Sequence, residues 1–203
     1  MFICFEGLAG TGKTTQCNIL ANYLRNTKED DVFVSAVYED NKRKVISEFL
    51  NTSGIYKDQN AVMFLFQALH CVQYQEALEA LSENKIVIAD RWRYSFFAHH
   101  LNQGTFNGDS KIIYQLDNLA FRDLKPDFTI LLQLPYKTAY DRYVNRERST
   151  NDKGLALMDL EYFRSVSDYY SEIANKNKWY IIDASGDEKT VSHRILDAIK
   201  TRL

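Results

Sequence analysis

The 203 residues, 45% hydrophobic and 26% charged, suit a single soluble domain long enough to bury a sizeable core. A formal net charge of -2 gives no global reason to expect nucleic acid or a membrane surface as partner, and no apolar run approaches membrane-spanning length. Cys4, Cys17 and Cys71 lack metal-ligand spacing and leave an odd thiol over, so they read as reduced, buried cysteines of a cytoplasmic protein.

The run Met1-Phe2-Ile3-Cys4-Phe5 is apolar and β-prone, as a buried first strand should be, and begins too early to leave room for a signal peptide. Gly7-Leu8-Ala9-Gly10-Thr11-Gly12-Lys13-Thr14-Thr15 then fits G-x-x-x-x-G-K-[ST] at every fixed position. A phosphate cradle needs inward-facing backbone N–H groups and close approach, and glycine permits both. Lys13 is placed to reach the β- and γ-phosphates, and the Thr14 hydroxyl to meet Mg²⁺. Ile19, Leu20, Tyr23 and Leu24 follow at helical spacing, giving strand, loop and helix, with the positive end of the helix dipole at the anion site. Gly7, Ala9, Gly10, Thr11, Gly12, Lys13, Thr14 and Thr15 are therefore the candidate contacts to a nucleoside triphosphate.

Residues 32–37 read as a second strand, 42–51 as a short amphipathic helix and 60–84 as a long one. In the long helix Val62, Leu65, Phe66, Leu69, Val72, Ala77, Leu78 and Leu81 fall mostly on one side. Ile86-Val87-Ile88-Ala89 is a buried strand ending in Asp90-Arg91, where open α/β sheets place their ligands. Asp90 there suits the Mg²⁺ shell, and Arg91 a bidentate phosphate clamp. A helix over 110–122, a strand over 128–134 and a helix over 136–146 follow. The polar run 145–154 reads either as a solvated loop or as a lid whose arginines close over transferring phosphates. A helix over 159–175, a strand over 179–183 and a closing helix over 190–203 complete an α/β kinase architecture: about five parallel strands flanked by helices on both faces, with a short lid.

Several stretches together resemble the thymidylate kinases, a family of P-loop nucleoside monophosphate kinases, over nearly the whole chain. They are Phe5-Glu6-Gly7 with the loop after it, Leu65-Phe66-Gln67-Ala68, Asp90-Arg91-Trp92 followed by Ser95, Ala98 and Gln103-Gly104, Pro126-Asp127-Phe128-Thr129, and Ile182-Asp183-Ala184-Ser185. The resemblance implies one kinase domain over 1–203 with a lid at approximately 145–156. The implied reaction is transfer from ATP, with Mg²⁺, to dTMP or a related pyrimidine deoxynucleotide, giving the diphosphate. Lys13 and the loop would hold ATP, Thr14 and Asp90 (through water) would hold Mg²⁺, and Arg91 would grip the acceptor phosphate. Phe66 would stack on the base, with Glu6, His70, Ser95 and His99 around the acceptor. Arg142, Arg146 and Arg148 would neutralise the transferred phosphoryl group, because Gly10 stands where some members carry a loop arginine. A homodimer is a common family state.

The departures lie on the acceptor side. Ala9 replaces an acidic residue that reaches the acceptor sugar, residues 38–43 replace an Arg-Glu-Pro-Gly-type motif, and His70 replaces an arginine. Lys42 or Arg43 is a candidate substitute for the lost phosphate contact, with plain helix-surface solvation as the alternative. Two other readings compete. One is a nucleoside kinase using Glu6 or Asp90 as base, and the other is a nucleotide-binding regulatory module without turnover.

Overall fold

The computed structural model describes residues 1–28, 31–37, 40–53, 58–102, 109–145 and 158–202. Strand β1 (Phe2–Glu6) is buried at every residue, as is β3 (Ile86–Asp90), because both lie inside a sheet covered on its two faces. The remaining strands are β2 (Val32–Ala36), β4 (Phe128–Gln133) and β5 (Tyr180–Asp183). All pair in parallel in the order β2-β3-β1-β4-β5, with Phe5 opposite Asp90 on one side and Ile130 on the other. The helices are α1 (Lys13–Lys28), α2 (Asp40–Ser53), α3 (Gln59–Ser82), α4 (Arg93–Asn102), α5 (Ser110–Phe121), α6 (Tyr136–Asn145), α7 (Leu160–Lys176) and α8 (Glu188–Ile199). The expected five-stranded parallel α/β fold is what forms.

Alternation along β1 divides the core. Ile3 and Phe5 join a cluster with Leu20 and Leu24 of α1, Tyr143 of α6, Phe163 of α7 and Ile195 of α8. Phe2 and Cys4 face the other way, against Tyr74 and Ala77 of α3, Trp92, and Phe121 of α5. Strand β4 is fastened to β1 by the Asp127 carboxylate, which accepts from Phe2 N at 2.6 Å, while Asp127 N donates to Phe2 O at 2.8 Å. The Pro-Asp pair before β4 is thus a clasp between two distant parts of the chain.

Several boundaries differ from the sequence reading. Helix α8 starts at Glu188 rather than residue 190, since Asp187 caps it by accepting from Thr190 N at 2.7 Å, and it ends at Ile199. Asp159 likewise caps α7 rather than beginning it, and β5 starts one residue later than expected. The buried face of α3 also differs. Met63, Gln67, His70, Tyr74 and Ala77 recur at helical spacing toward the core, while Val72 and Leu78 are 46% and 40% exposed. Polar side chains share that inner face: Gln73 meets the turn that follows β3 by donating to Arg91 O, and Gln67 and His70 pair with each other. Cys4 and Cys17 are buried as expected, but Cys71 is exposed.

Helix α5 carries Asp117 into the interior, where it accepts from Arg93 Nη2 at 2.9 Å. Burial pushes its carboxyl up to about 6 against the pull of Arg93. Removing one member of such a pair strands the other charge. Asp117→Ala should therefore cost about 3 kcal/mol of folding stability. Arg164→Ala, which breaks the exposed pair with Glu161, should cost nothing measurable. Urea titrations of both variants check this, and equal midpoints for Asp117→Ala and wild type would refute it.

Candidate active site

The C-terminal edges of β1, β3 and β4 frame the site. Between β1 and α1 the chain turns through Gly7, Gly10 and Gly12 at φ +141°, +83° and +88°. Two of these glycines are required by space as well as by dihedral. A Cβ on Gly7 would lie 2.6 Å from Leu132 O, and one on Gly10 would lie 2.5 Å from Ala139 O and 3.2 Å from Arg142 Cβ. The loop is thus clamped between the end of β4 and the first turns of α6, and Arg142 stands beside it. At Gly12 a Cβ would meet nothing within 4 Å, so the loop opens there, at the N-terminus of α1, where the helix amides favour an anion.

Lys13 is the first residue of α1 and is only 5% exposed. Its ammonium donates to Leu8 O at 2.6 Å and lies 3.4 Å from Thr11 Oγ1, so the side chain curls back over its own loop. Thr11 Oγ1 also donates to Leu8 O at 3.0 Å. Burial, then the nearby Arg91 charge, pushes Lys13 down to about 7, opposed by Asp90 and Glu6. Thr14 Oγ1 donates to Asp90 Oδ2 at 2.5 Å, which joins the α1 and β3 candidates for the metal. A hydroxyl and a carboxylate converging at the phosphate loop are the hard oxygen donors that Mg²⁺ takes alongside phosphate oxygens and water. Among the described residues no group of three or more His, Cys, Asp or Glu side chains forms a protein-only metal cage. Ala9 in the loop and Thr15 in the first turn of α1 are half-buried.

Arg91 follows β3 at φ +74°, a conformation that costs a non-glycine residue on the order of 1–3 kcal/mol and that concentrates at functional sites. Its backbone is held from both sides, by Arg91 N donating to Phe5 O at 2.9 Å and by Gln73 Nε2 donating to Arg91 O at 3.0 Å. Its Nη1 donates to Gly7 O and to Ser95 Oγ, both at 3.0 Å. Glu6 is fully buried. Its Oε1 accepts from Trp92 N at 3.1 Å and Ser95 N at 3.2 Å, capping α4 from a distant strand. Its Oε2 accepts from Ser95 Oγ at 2.5 Å and Tyr170 Oη at 3.0 Å. Burial raises the Glu6 carboxyl, while these bonds and Arg91 lower it. Enclosed by four N–H and O–H donors, with Cys4 Sγ a further 4.0 Å contact, Glu6 does not fit the role of base in a nucleoside kinase. It also lies beneath Arg91 and Ser95 rather than on an acceptor-facing surface.

The other acceptor candidates are dispersed. His70 is buried against Phe96 and Phe121, with ring centroids 5.8 and 5.0 Å away, and its Nδ1 pairs with Gln67 Oε1 at 2.7 Å. Burial pushes it down to about 3, so it is neutral at physiological pH and not a phosphate ligand in this conformation. His99 pairs through Nδ1 with Tyr162 Oη at 2.9 Å and is pushed down to about 4 by burial and Arg91. Phe66 is half-buried and packs against the small cluster of Ile46, Leu50 and Val62. Lys42 pairs with Glu76 at 2.6 Å across α2 and α3. Trp92 is core, 4.5 Å from Phe121 and 5.0 Å from Phe2 by centroids. Arg146 and Arg148, the lid segment beyond Asn145, Gln103-Gly104, Tyr38-Glu39 and the Arg43 side chain lie outside the described residues. Gln73, Tyr162 and Tyr170 were not anticipated. A polar residue on the inner face of α3 was a usable signal for Gln73, whereas nothing in the sequence around Tyr169-Tyr170 distinguished either tyrosine.

A family model described as thymidylate kinase matches residues 5–195. The thymidylate kinase of Trichlorobacter lovleyi is 29% identical over 214 aligned positions, covering 100% of this chain and 98% of that protein. That of Afipia carboxidovorans is 28% identical over 207, covering 100% and 90%. That of Mesomycoplasma hyopneumoniae is 29% identical over 205, covering 97% and 95%. The match runs through the loop, the Asp90-Arg91 turn and the final strand alike, and the chain belongs to the thymidylate kinase family.

Proposed function

We propose that this chain is a thymidylate kinase that transfers the γ-phosphoryl group of ATP to dTMP, giving ADP and dTDP. The observation that carries the reading is the convergence at one sheet edge of Lys13, the Thr14–Asp90 pair and Arg91, in a chain of this family. An acceptor phosphate oxygen forms the new bond to the γ-phosphorus as the bond to the ADP oxygen breaks, so the protein's work is placement and charge. The loop amides and Lys13 bind the donor phosphates, with the ammonium leaving Leu8 O for a phosphate oxygen. Thr14 and Asp90 would hold Mg²⁺, which when bound neutralises charge between the β- and γ-phosphates. Arg91, preset by Gly7 O and Ser95, grips the acceptor phosphate. Arg142 beside Gly10, with Arg146 and Arg148, supplies further positive charge.

The remaining assignments are part of the same reading. The chain forms one domain with a lid around 145–156, works in the cytoplasm on small nucleotides and does not require nucleic acid. Among the described residues no helix is long and apolar enough to cross a membrane. Val45, at 66% exposure on α2, and Val72 and Leu78 on α3 give two neighbouring helices an apolar surface that suits a homodimer. Light scattering coupled to gel filtration checks that state, with a monomer at micromolar concentration as the refuting result.

ADP release should be rapid with dTMP and slow with free thymidine. The reverse preference would favour the nucleoside kinase, and silence with every acceptor would favour a binding module. Lys13→Met should lower kcat by roughly 100-fold or more with the fold intact by circular dichroism. Arg91→Ala should raise KM for dTMP at least about 10-fold and leave KM for ATP nearly unchanged. Because Lys13 titrates near 7 in the free protein and the phosphates raise its affinity for a proton, nucleotide binding should take up protons between pH 7 and 8. Calorimetry in buffers of different ionisation enthalpy measures this. The uptake should shrink in Lys13→Met, and an unchanged value there would remove Lys13 as its source.

A further inference from the structure

We propose that Tyr170 of α7 is a positioning residue for Arg91, acting through Glu6 and Ser95. The effect expected on acceptor binding rests on the reading that Arg91 grips the acceptor phosphate. The inference comes from proton bookkeeping among four side chains. An ionised Glu6 can only accept, and its Oε2 lies 2.5 Å from Ser95 Oγ and 3.0 Å from Tyr170 Oη. Ser95 has one hydroxyl proton, and the shorter contact commits it to Glu6. The Ser95 lone pairs are then left facing Arg91 Nη1 at 3.0 Å and Tyr170 Oη at 2.9 Å.

That orientation is what Arg91 needs, since its guanidinium has donors only and needs an acceptor at Ser95. If the Ser95 hydroxyl turned, its proton would point at the guanidinium and the contact would be lost. Tyr170 works against such a turn. Its single phenol proton lies between Ser95 Oγ at 2.9 Å and Glu6 Oε2 at 3.0 Å; shared toward Ser95 it occupies the lone pair on that side and leaves the Ser95 proton only Glu6 to point at. The phenol is itself fully placed, because Tyr170 is 2% exposed and packs in the same core as Phe163 and Val166. A guanidinium that meets a phosphate bidentately depends on its plane being fixed, so a small rotation matters more here than at a point charge. Tyr170 belongs to none of the sequence motifs and is almost wholly enclosed by protein.

The variant that isolates this role is Tyr170→Phe, which keeps the ring and removes the hydroxyl. The expected result is a roughly tenfold rise in KM for dTMP. KM for ATP should be unchanged and the melting temperature nearly so. Ser95→Ala should show the same split, and Ser95→Thr, which restores a hydroxyl, should recover most of it. In an Arg91→Ala background, Tyr170→Phe should add nothing, because the residue it positions is gone. A fold-change equal in the two backgrounds, or parallel rises in both KM values with a fall in melting temperature, would overturn the proposal. Side-chain NMR of the Arg91 Nε–H, identified as the signal absent from Arg91→Ala, gives a readout independent of activity. It should shift or broaden in Tyr170→Phe, and an unmoved signal overturns the positioning role. If Arg91→Ala leaves KM for dTMP unchanged while that signal still shifts, the phosphate-gripping reading fails and the positioning of Arg91 by Tyr170 stands.

Discussion

A carboxylate shut off from the solvent must find its hydrogen bonds in the interior, and Glu6 at the end of the central strand imposes that requirement on its surroundings. Trp92 N and Ser95 N are drawn to one oxygen, and the Ser95 and Tyr170 hydroxyls to the other. These four donors come from the turn after β3, the first turn of α4 and the middle of α7. Meeting one side chain's need therefore fixes how two helices sit over the sheet edge. Part of the same need helps Arg91 persist at φ +74°: Trp92, the next residue, is committed to Glu6, while Phe5 O and Gln73 hold Arg91's own backbone groups.

Charge at the site is balanced internally. Lys13 and Arg91 repel one another, and Asp90 and Glu6 offset part of that repulsion at the shared site. The balance is close for Lys13, whose affinity for its proton is reduced by burial more than the carboxylates restore it. A polyphosphate entering at the open side of Gly12 brings the missing negative charge and offers the ammonium a better partner than the Leu8 carbonyl. The loop itself has little room to help, since Gly7 and Gly10 pass close to backbone carbonyls of β4 and α6. Adaptation falls to side chains.

Most of the fold was legible in the sequence because parallel strands buried on both faces leave continuous apolar runs, and the phosphate loop has a nearly unique pattern. Helix starts were less legible where an aspartate cap preceded a polar first turn, as at Asp187. On the donor side the structure brings together residues the sequence pattern had singled out, with Thr14 bonded to Asp90 beside the loop. On the acceptor side, His70 looked like a ligand by its distance from Phe66 along α3, but it faces Phe96 and Phe121 in the core. Spacing gives the face of a helix and does not say whether that face meets a pocket or a packed interior. The Tyr170 contact was unreadable, because it joins residues 164 positions apart through a hydroxyl that sequence pattern does not weigh.

The clasp between Phe2 and Asp127 spans 125 residues, and β1 pairs on both sides with strands made much later. During synthesis the first strand, one of the most apolar runs in the chain, emerges with neither neighbour available to pair it. Its sheet edges stay open until β3 and then β4 have been made, so the central strand of the finished sheet is among the last to be fully paired. Such non-local pairing makes for slow assembly and a long-lived sticky intermediate. For this chain the hazard is at birth: crowding or fast translation threatens the yield of folded protein more than it threatens the folded enzyme.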